Sequence, residues 1–199
     1  MSLRERLIGI FYRAATGSRK TRNPLTPAGI VFFFSLIALF IFVALQVDKF
    51  LGLPKLLPIS LSIIVSVPIL AIGLFLMIWS VRQFIKVKGT PVPFNPPPKL
   101  VTTGPYAHVR NPMVTGVFVL LFGLGVLLRS ISLVSIFTPL FILLNVWELK
   151  AVEERELERR IGKDYVEYEK MVPMFIPRLK GRTTKSINEK RGNLSPNSR

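Results

Sequence analysis

Residues 28–47 read AGIVFFFSLIALFIFVALQV and residues 59–80 read ISLSIIVSVPILAIGLFLMIWS. Crossing the roughly 30 Å hydrocarbon core of a bilayer takes ~20 apolar residues of helix at ~1.5 Å per residue, and both stretches meet that requirement without one charged side chain. They are read as membrane spans. Gln46 is the single strongly polar residue of the first. In the second, Pro68 removes a backbone donor near the middle and predicts a kink, which a neighbouring helix or hydroxyl can accommodate.

Working outward, a third apolar region runs from Met113 to Leu128, is broken by Arg129-Ser130, and resumes from Ile131 to Trp147. This reads as a helical hairpin. Its arms would be about 24 to 26 Å long, so they either cross a locally thinned bilayer or re-enter from one side. Gly116 and Gly123, one heptad apart, share a helical face and predict close approach of another helix. Glycines inside a span lack the strand-to-helix context of a dinucleotide loop.

The composition agrees with a membrane chain: 199 residues, 50% hydrophobic, only 19% charged, with a mean hydropathy of +0.45. Disordered and fibrous classes are excluded. The absence of cysteine excludes disulfides and thiolate chemistry, and His108, the lone histidine, excludes a multi-histidine metal site within one chain. Net charge is +16, which in a soluble protein would suggest nucleic acid. Here the basic residues alternate between inter-span segments: the two termini and the loop 81–111 carry 24 of the 27 Lys and Arg. The positive-inside rule places these three segments in the cytoplasm, where they attract anionic membrane lipids, and no nucleic-acid partner is needed to explain the charge.

The expected fold class is therefore all-α: a polytopic bundle of about four spans, the last two forming a short hairpin, with a cytoplasmic helix extension. Four regions follow. Residues 1–27 form a basic amphipathic segment in which Leu3, Leu7, Ile10, Phe11 and Ala14 make one stripe suited to the headgroup region. Its long basic lead and the length of the next apolar run do not fit a secretory signal. Residues 28–80 hold the first two spans. Residues 81–179 hold a proline-rich strap, the hairpin and a cytoplasmic helix. Residues 180–199 are too polar to pack and are expected to be disordered.

Two segments of the basic face hold polar residues that spanning alone does not require: 88–116, KGTPVPFNPPPKLVTTGPYAHVRNPMVTG, and 147–178, WELKAVEERELERRIGKDYVEYEKMVPMFIPR. Six prolines between Pro91 and Pro105 keep the first extended, as a linker or as one wall of a surface pocket. The second should continue the fourth helix, since no Gly or Pro intervenes between Trp147 and Gly162. On unbroken α spacing Trp147, Ala151, Glu154 and Glu158 share the face that enters the bundle, with Glu153 about 100° away. Glu156 with Arg160 reads as a solvated i,i+4 pair.

These residues resemble the membrane methyltransferases that include isoprenylcysteine carboxyl methyltransferases and phospholipid methyltransferases. That pattern is roughly Arg-His-Pro-x-Tyr-x-Gly, a hairpin, Glu-Glu-x-x-Leu, then spaced tyrosines before Val-Pro-x-x-Ile-Pro. Arg110, Pro112 and Gly116 match its first part; Glu153, Glu154 and Leu157 match the second; Tyr165, Tyr168, Val172, Pro173, Ile176 and Pro177 match the tail. The resemblance covers about residues 89–178. Two departures stand out: Asn111 where the family usually has His, and Val114 where it usually has Tyr. Asn can hydrogen-bond but cannot titrate near neutrality, so a proton shuttle there is not supplied.

The resemblance implies S-adenosylmethionine as cofactor, held by Tyr106, His108, Arg110, Asn111, Pro112, Gly116, Glu153 and Glu154, with Arg110 and Asn111 in catalytic positions. Carboxylates suit the cofactor's ammonium and ribose hydroxyls. They would oppose loss of positive charge at sulfur, so Glu153 and Glu154 fit a positioning role, and alignment with water exclusion would carry the rate. The sequence offers no dedicated base, which points to a lipid-linked or apolar methyl acceptor oriented by Arg110 or Arg178. Two other classes stay open at this stage: a non-catalytic membrane adaptor, and a nicotinamide-dependent membrane reductase.

Overall fold

Within a bilayer every backbone N–H and C=O must find its partner inside the chain, and helices achieve this segment by segment. The structure, a computed structural model, describes residues 3–16, 19–87 and 100–177, and among them the regular elements are all helical. Helix α1 is Leu3–Thr16, α2 Arg19–Phe50, α3 Ile59–Lys86, α4 Pro112–Leu127, α5 Thr138–Glu148, α6 Glu154–Ile161 and α7 Lys163–Met171. Among the described residues three helical stretches are long and apolar enough to cross a membrane: Pro27–Phe50, Ile59–Lys86 and Leu133–Ile161. The last loses its apolar character after Trp147 and continues beyond as a charged extension. Helix α4, with 16 residues, is shorter. The proline strap up to Pro98, Arg178 and the tail 180–199 lie outside the described residues. So do the side chains of the Leu3, Leu7, Ile10, Phe11 and Ala14 stripe, although α1 itself is helical as expected.

The hairpin expected between Met113 and Trp147 is present, and its second arm continues past Trp147, as expected, in the helix that ends at Ile161. One change is that this helix is not uniformly α, since Leu133–Phe137 and Leu149–Glu153 are π-helical. Pro139 gives the first π turn a physical cause, because it cannot donate to the carbonyl four residues back and the ladder adjusts around the gap.

Helices α3 and α4 form the closest pairing. A Cβ on Gly116 would stand 2.9 Å from the Gly73 carbonyl oxygen, and one on Gly123 2.9 Å from Leu70 Cδ2. Only glycine lets the two backbones approach so closely, as the shared face of Gly116 and Gly123 leads one to expect. Phe141 of α5 packs against Phe118, Phe33 and Phe40, binding α4, α5 and α2 into one apolar core.

At one end of the bundle the α2–α3 connection meets the turn after α4. Arg129 Nε donates to the Leu57 carbonyl at 2.7 Å, the Leu56 N–H to the Arg129 carbonyl at 3.1 Å, and the Ser132 N–H to Asp48 Oδ1 at 2.9 Å. The two sparsely charged connections thus share an end. The site described next lies at the opposite end.

Candidate functional site

The turn that precedes α4 is shaped by Gly104 and closed by the C-terminal segment. Gly104 has φ +63°, and a Cβ there would come within 2.7 Å of Gln83 Nε2, so both backbone and space require glycine. The 3₁₀ turn Gly104–Ala107 that follows sets the buried Tyr106 ring edge-on to Phe84, with centroids 5.4 Å apart. Tyr168 of α7 donates its hydroxyl to the Tyr106 carbonyl at 2.7 Å. Beyond α7 the chain doubles back: the Arg110 N–H donates to the Pro173 carbonyl at 2.8 Å and the Asn111 N–H to the Met174 carbonyl at 3.1 Å. Phe175 then reaches Phe118 of the membrane core, at 5.6 Å between rings. A sequence tail without regular structure is therefore what holds Arg110 in place.

Arg110 Nη1 lies 2.9 Å from Glu154 Oε1 and 2.7 Å from Glu169 Oε1, with side-chain exposures of 11%, 12% and 32% for Arg110, Glu154 and Glu169. Burial opposes the Arg110 charge, but the carboxylates of Glu169 and Glu154 outweigh it and hold the guanidinium above its ordinary value. Burial, followed by the opposing pull of Arg110 and the repulsion of Glu169, leaves the Glu154 carboxyl above the usual range. Glu153 is pushed up to about 8 by burial first and then by Glu148, Glu156 and Glu154. Burial also raises Tyr106, Tyr165 and Tyr168, so their phenols stay protonated donors.

Arg110 Nε and Nη1 and Glu154 Oε1 are buried without a hydrogen bond of acceptable geometry, although the charges are in ion-pair contact. Buried donors and acceptors left in that condition are costly unless a ligand completes them. This donor set fits a ligand that carries both a carboxylate and an ammonium.

Of the residues singled out in the sequence, the structure brings Arg110 and Glu154 together, with Asn111 and Pro112 next to Arg110 in the chain and Glu153 next to Glu154 but outside the Arg110 ion pairs. Asn111 precedes α4 and its carbonyl accepts from Thr115 Oγ1 at 2.9 Å, while Pro112 is buried at the first helical position. Tyr106 anchors the turn through its carbonyl, its ring and a hydroxyl contact with Ser80. His108 is exposed at the end of the 3₁₀ turn, and Gly116 faces Gly73 and Met77 inside the helix pair.

The face expected from unbroken α spacing is corrected. Trp147 is 62% exposed and Glu158 is exposed, while the buried stripe runs through Leu149, Val152 and Glu156. The π turn Leu149–Glu153 changes the residue count per turn just before Glu154, so the extrapolated face rotates. Glu156 is corrected too: it is buried, and its pair with Arg160, at 2.7 Å, is only partly open to solvent. Glu169 is the site residue that sequence reasoning passed over. Its only signal was proximity to Tyr168 in the tail that returns to Arg110.

A groove of about 420 Å³ lies along α5 and the π turn that follows it, lined by Leu143, Val146, Trp147, Lys150 and Ala151. It does not include Arg110. Helix α1 packs on the charged extension, where the Arg159 guanidinium sits 4.8 Å above the Tyr12 ring.

The family model for phospholipid methyltransferases matches residues 61–164. This chain belongs to the phospholipid methyltransferase family. The match spans α3, the Arg110 turn, the hairpin and the Glu153-Glu154 extension, and stops before Tyr168 and Glu169. It accords with the resemblance drawn from the Arg110 and Glu153-Glu154 motifs. A curated relative, the nickel-cobalt-cadmium resistance protein NccN of Alcaligenes xylosoxydans xylosoxydans, is 36% identical over 81 residues, 41% of this chain. The chain spans 37% of that relative's length. No solved structure matches. Membership of this family accords with the three membrane-length apolar helices among the described residues.

Proposed function

We propose that the protein transfers a methyl group from S-adenosylmethionine to a lipid-linked or apolar acceptor, at the cytoplasmic membrane surface. The observation that carries this reading is the Arg110–Glu154 ion pair at the highly charged end of a methyltransferase-family bundle, beside an Arg110 Nε that is buried without a hydrogen-bond partner. The cofactor, when bound, supplies an electrophilic methyl on a sulfonium. Arg110 would receive its carboxylate and Glu154 its ammonium, each through charge-assisted hydrogen bonds. Glu153 adjoins them as a second positioning carboxyl. The Tyr168 hydroxyl and the carbonyls of Pro173 and Met174 fix the Arg110 turn, so the site's own contribution is alignment and exclusion of water. The excess of Lys and Arg at this end supports a cytoplasmic placement with anionic lipids as neighbours.

Mass spectrometry of the ligand that copurifies in detergent, followed by titration of S-adenosylmethionine into wild type and Glu154→Ala, tests the reading. Micromolar binding lost in the variant is the expected result. Unchanged binding rejects this site, retention of a nicotinamide dinucleotide favours a reductase, and no cofactor binding with salt-sensitive liposome binding favours an adaptor.

A further inference from the structure

We infer that Glu169 is a positioning residue which, through Arg110, makes this site prefer a cationic methyl donor over the donor's demethylated product. The inference rests on the methyltransferase reading above. Glu169 lies past the family match and stands closer to Arg110 Nη1, at 2.7 Å, than Glu154 does at 2.9 Å. Its place is built. Helix α7 is entered through Gly162 at φ +72° and is fastened at its far end by the Tyr168 hydroxyl on the Tyr106 carbonyl and by the Pro173 and Met174 carbonyls on Arg110 and Asn111. Its neighbours Glu167 and Lys170 are exposed, whereas Glu169 turns inward.

Charge balance gives the pairing its consequence. One guanidinium faces two carboxylates, so Arg110, Glu154 and Glu169 have a net charge of −1 among themselves, and the next charges acting on Glu154, Lys150 and Glu158, are of opposite sign to each other. A sulfonium donor with an ammonium and a carboxylate has a net charge of +1, while the thioether product has none. Only the donor gains from the cluster's excess charge, and in a partly buried site that gain is weakly screened. Methyl transfer removes the charge from the ligand and with it this part of the attraction, which favours release of the product.

The test is calorimetric titration of S-adenosylmethionine and S-adenosylhomocysteine into full-length protein in detergent, at low and high salt. Wild type should bind the donor roughly tenfold more tightly than the product, with the gap narrowing in salt. Glu169→Gln should weaken the donor by ~5 to 10-fold and leave the product within ~2-fold. Glu169→Asp should restore most of the preference, and Glu167→Gln on the same helix should leave it intact. Equal weakening of both ligands by Glu169→Gln, or none of either, overturns the inference while the methyltransferase reading stands. Failure of the wild type to bind either ligand overturns both.

Discussion

A guanidinium that touches two carboxylates has a different meaning from one that touches a single partner, and at the residue scale Arg110 is where the protein is most constrained. Removing Glu154 leaves Arg110 with Glu169 alone and takes away a buried acceptor. Glu154→Ala and Arg110→Ala should therefore each weaken S-adenosylmethionine at least ~10-fold by calorimetry. His108→Ala should leave affinity within ~2-fold, because the imidazole is exposed to solvent. Glu153 supplies a pH signature. Its carboxyl is held at about 8 against an ordinary 4.5, so between those limits the folded state keeps a proton that the unfolded state has lost. Stability should fall as pH rises from 4.5 to 8, by at most about 1.4 kcal/mol per unit, and level off above. Melting midpoints in detergent should show this slope, and Glu153→Gln should flatten it. Arg110, Glu153 and Glu154 were legible because their motifs are local. Glu169 was not, since its relevance depends on a chain reversal that leaves no periodic trace.

At the scale of elements, the α3–α4 pair shows how far spacing can be trusted. Glycines one heptad apart predicted a close helix contact, and the partner proved to be Gly73. A leucine at Gly116 would meet the Gly73 carbonyl, which is backbone and cannot swing aside. Gly116→Leu should separate the helices and cost about 2–3 kcal/mol or more, read as a lower melting midpoint in detergent. The same spacing logic failed past Trp147. An α-helical wheel assumes 3.6 residues per turn, and the π turn Leu149–Glu153 breaks that assumption just before Glu154. The other π turn had a cue in Pro139; this one had none.

For the whole molecule, alternation of charge and the two knitted ends describe a bundle with unlike faces. The natural chain has no cysteine, so single-cysteine variants can be labelled without background. Lys55→Cys should react with a membrane-impermeant maleimide from outside intact cells, and Glu158→Cys only after permeabilisation. The reverse pattern would invert the proposed orientation. By itself the sequence determined that this is a helical membrane protein, where its first two spans lie, that a hairpin follows, and which motifs to inspect. These are properties of composition and short-range periodicity, set by the thickness of a bilayer and the pitch of a helix. Only the tertiary structure decided which face Glu154 presents, that Gly116 packs against α3, and that Glu169 and the Pro173–Met174 carbonyls complete the surroundings of Arg110. Each of those depends on how segments far apart in the chain meet in space, and that is settled by packing across the whole bundle.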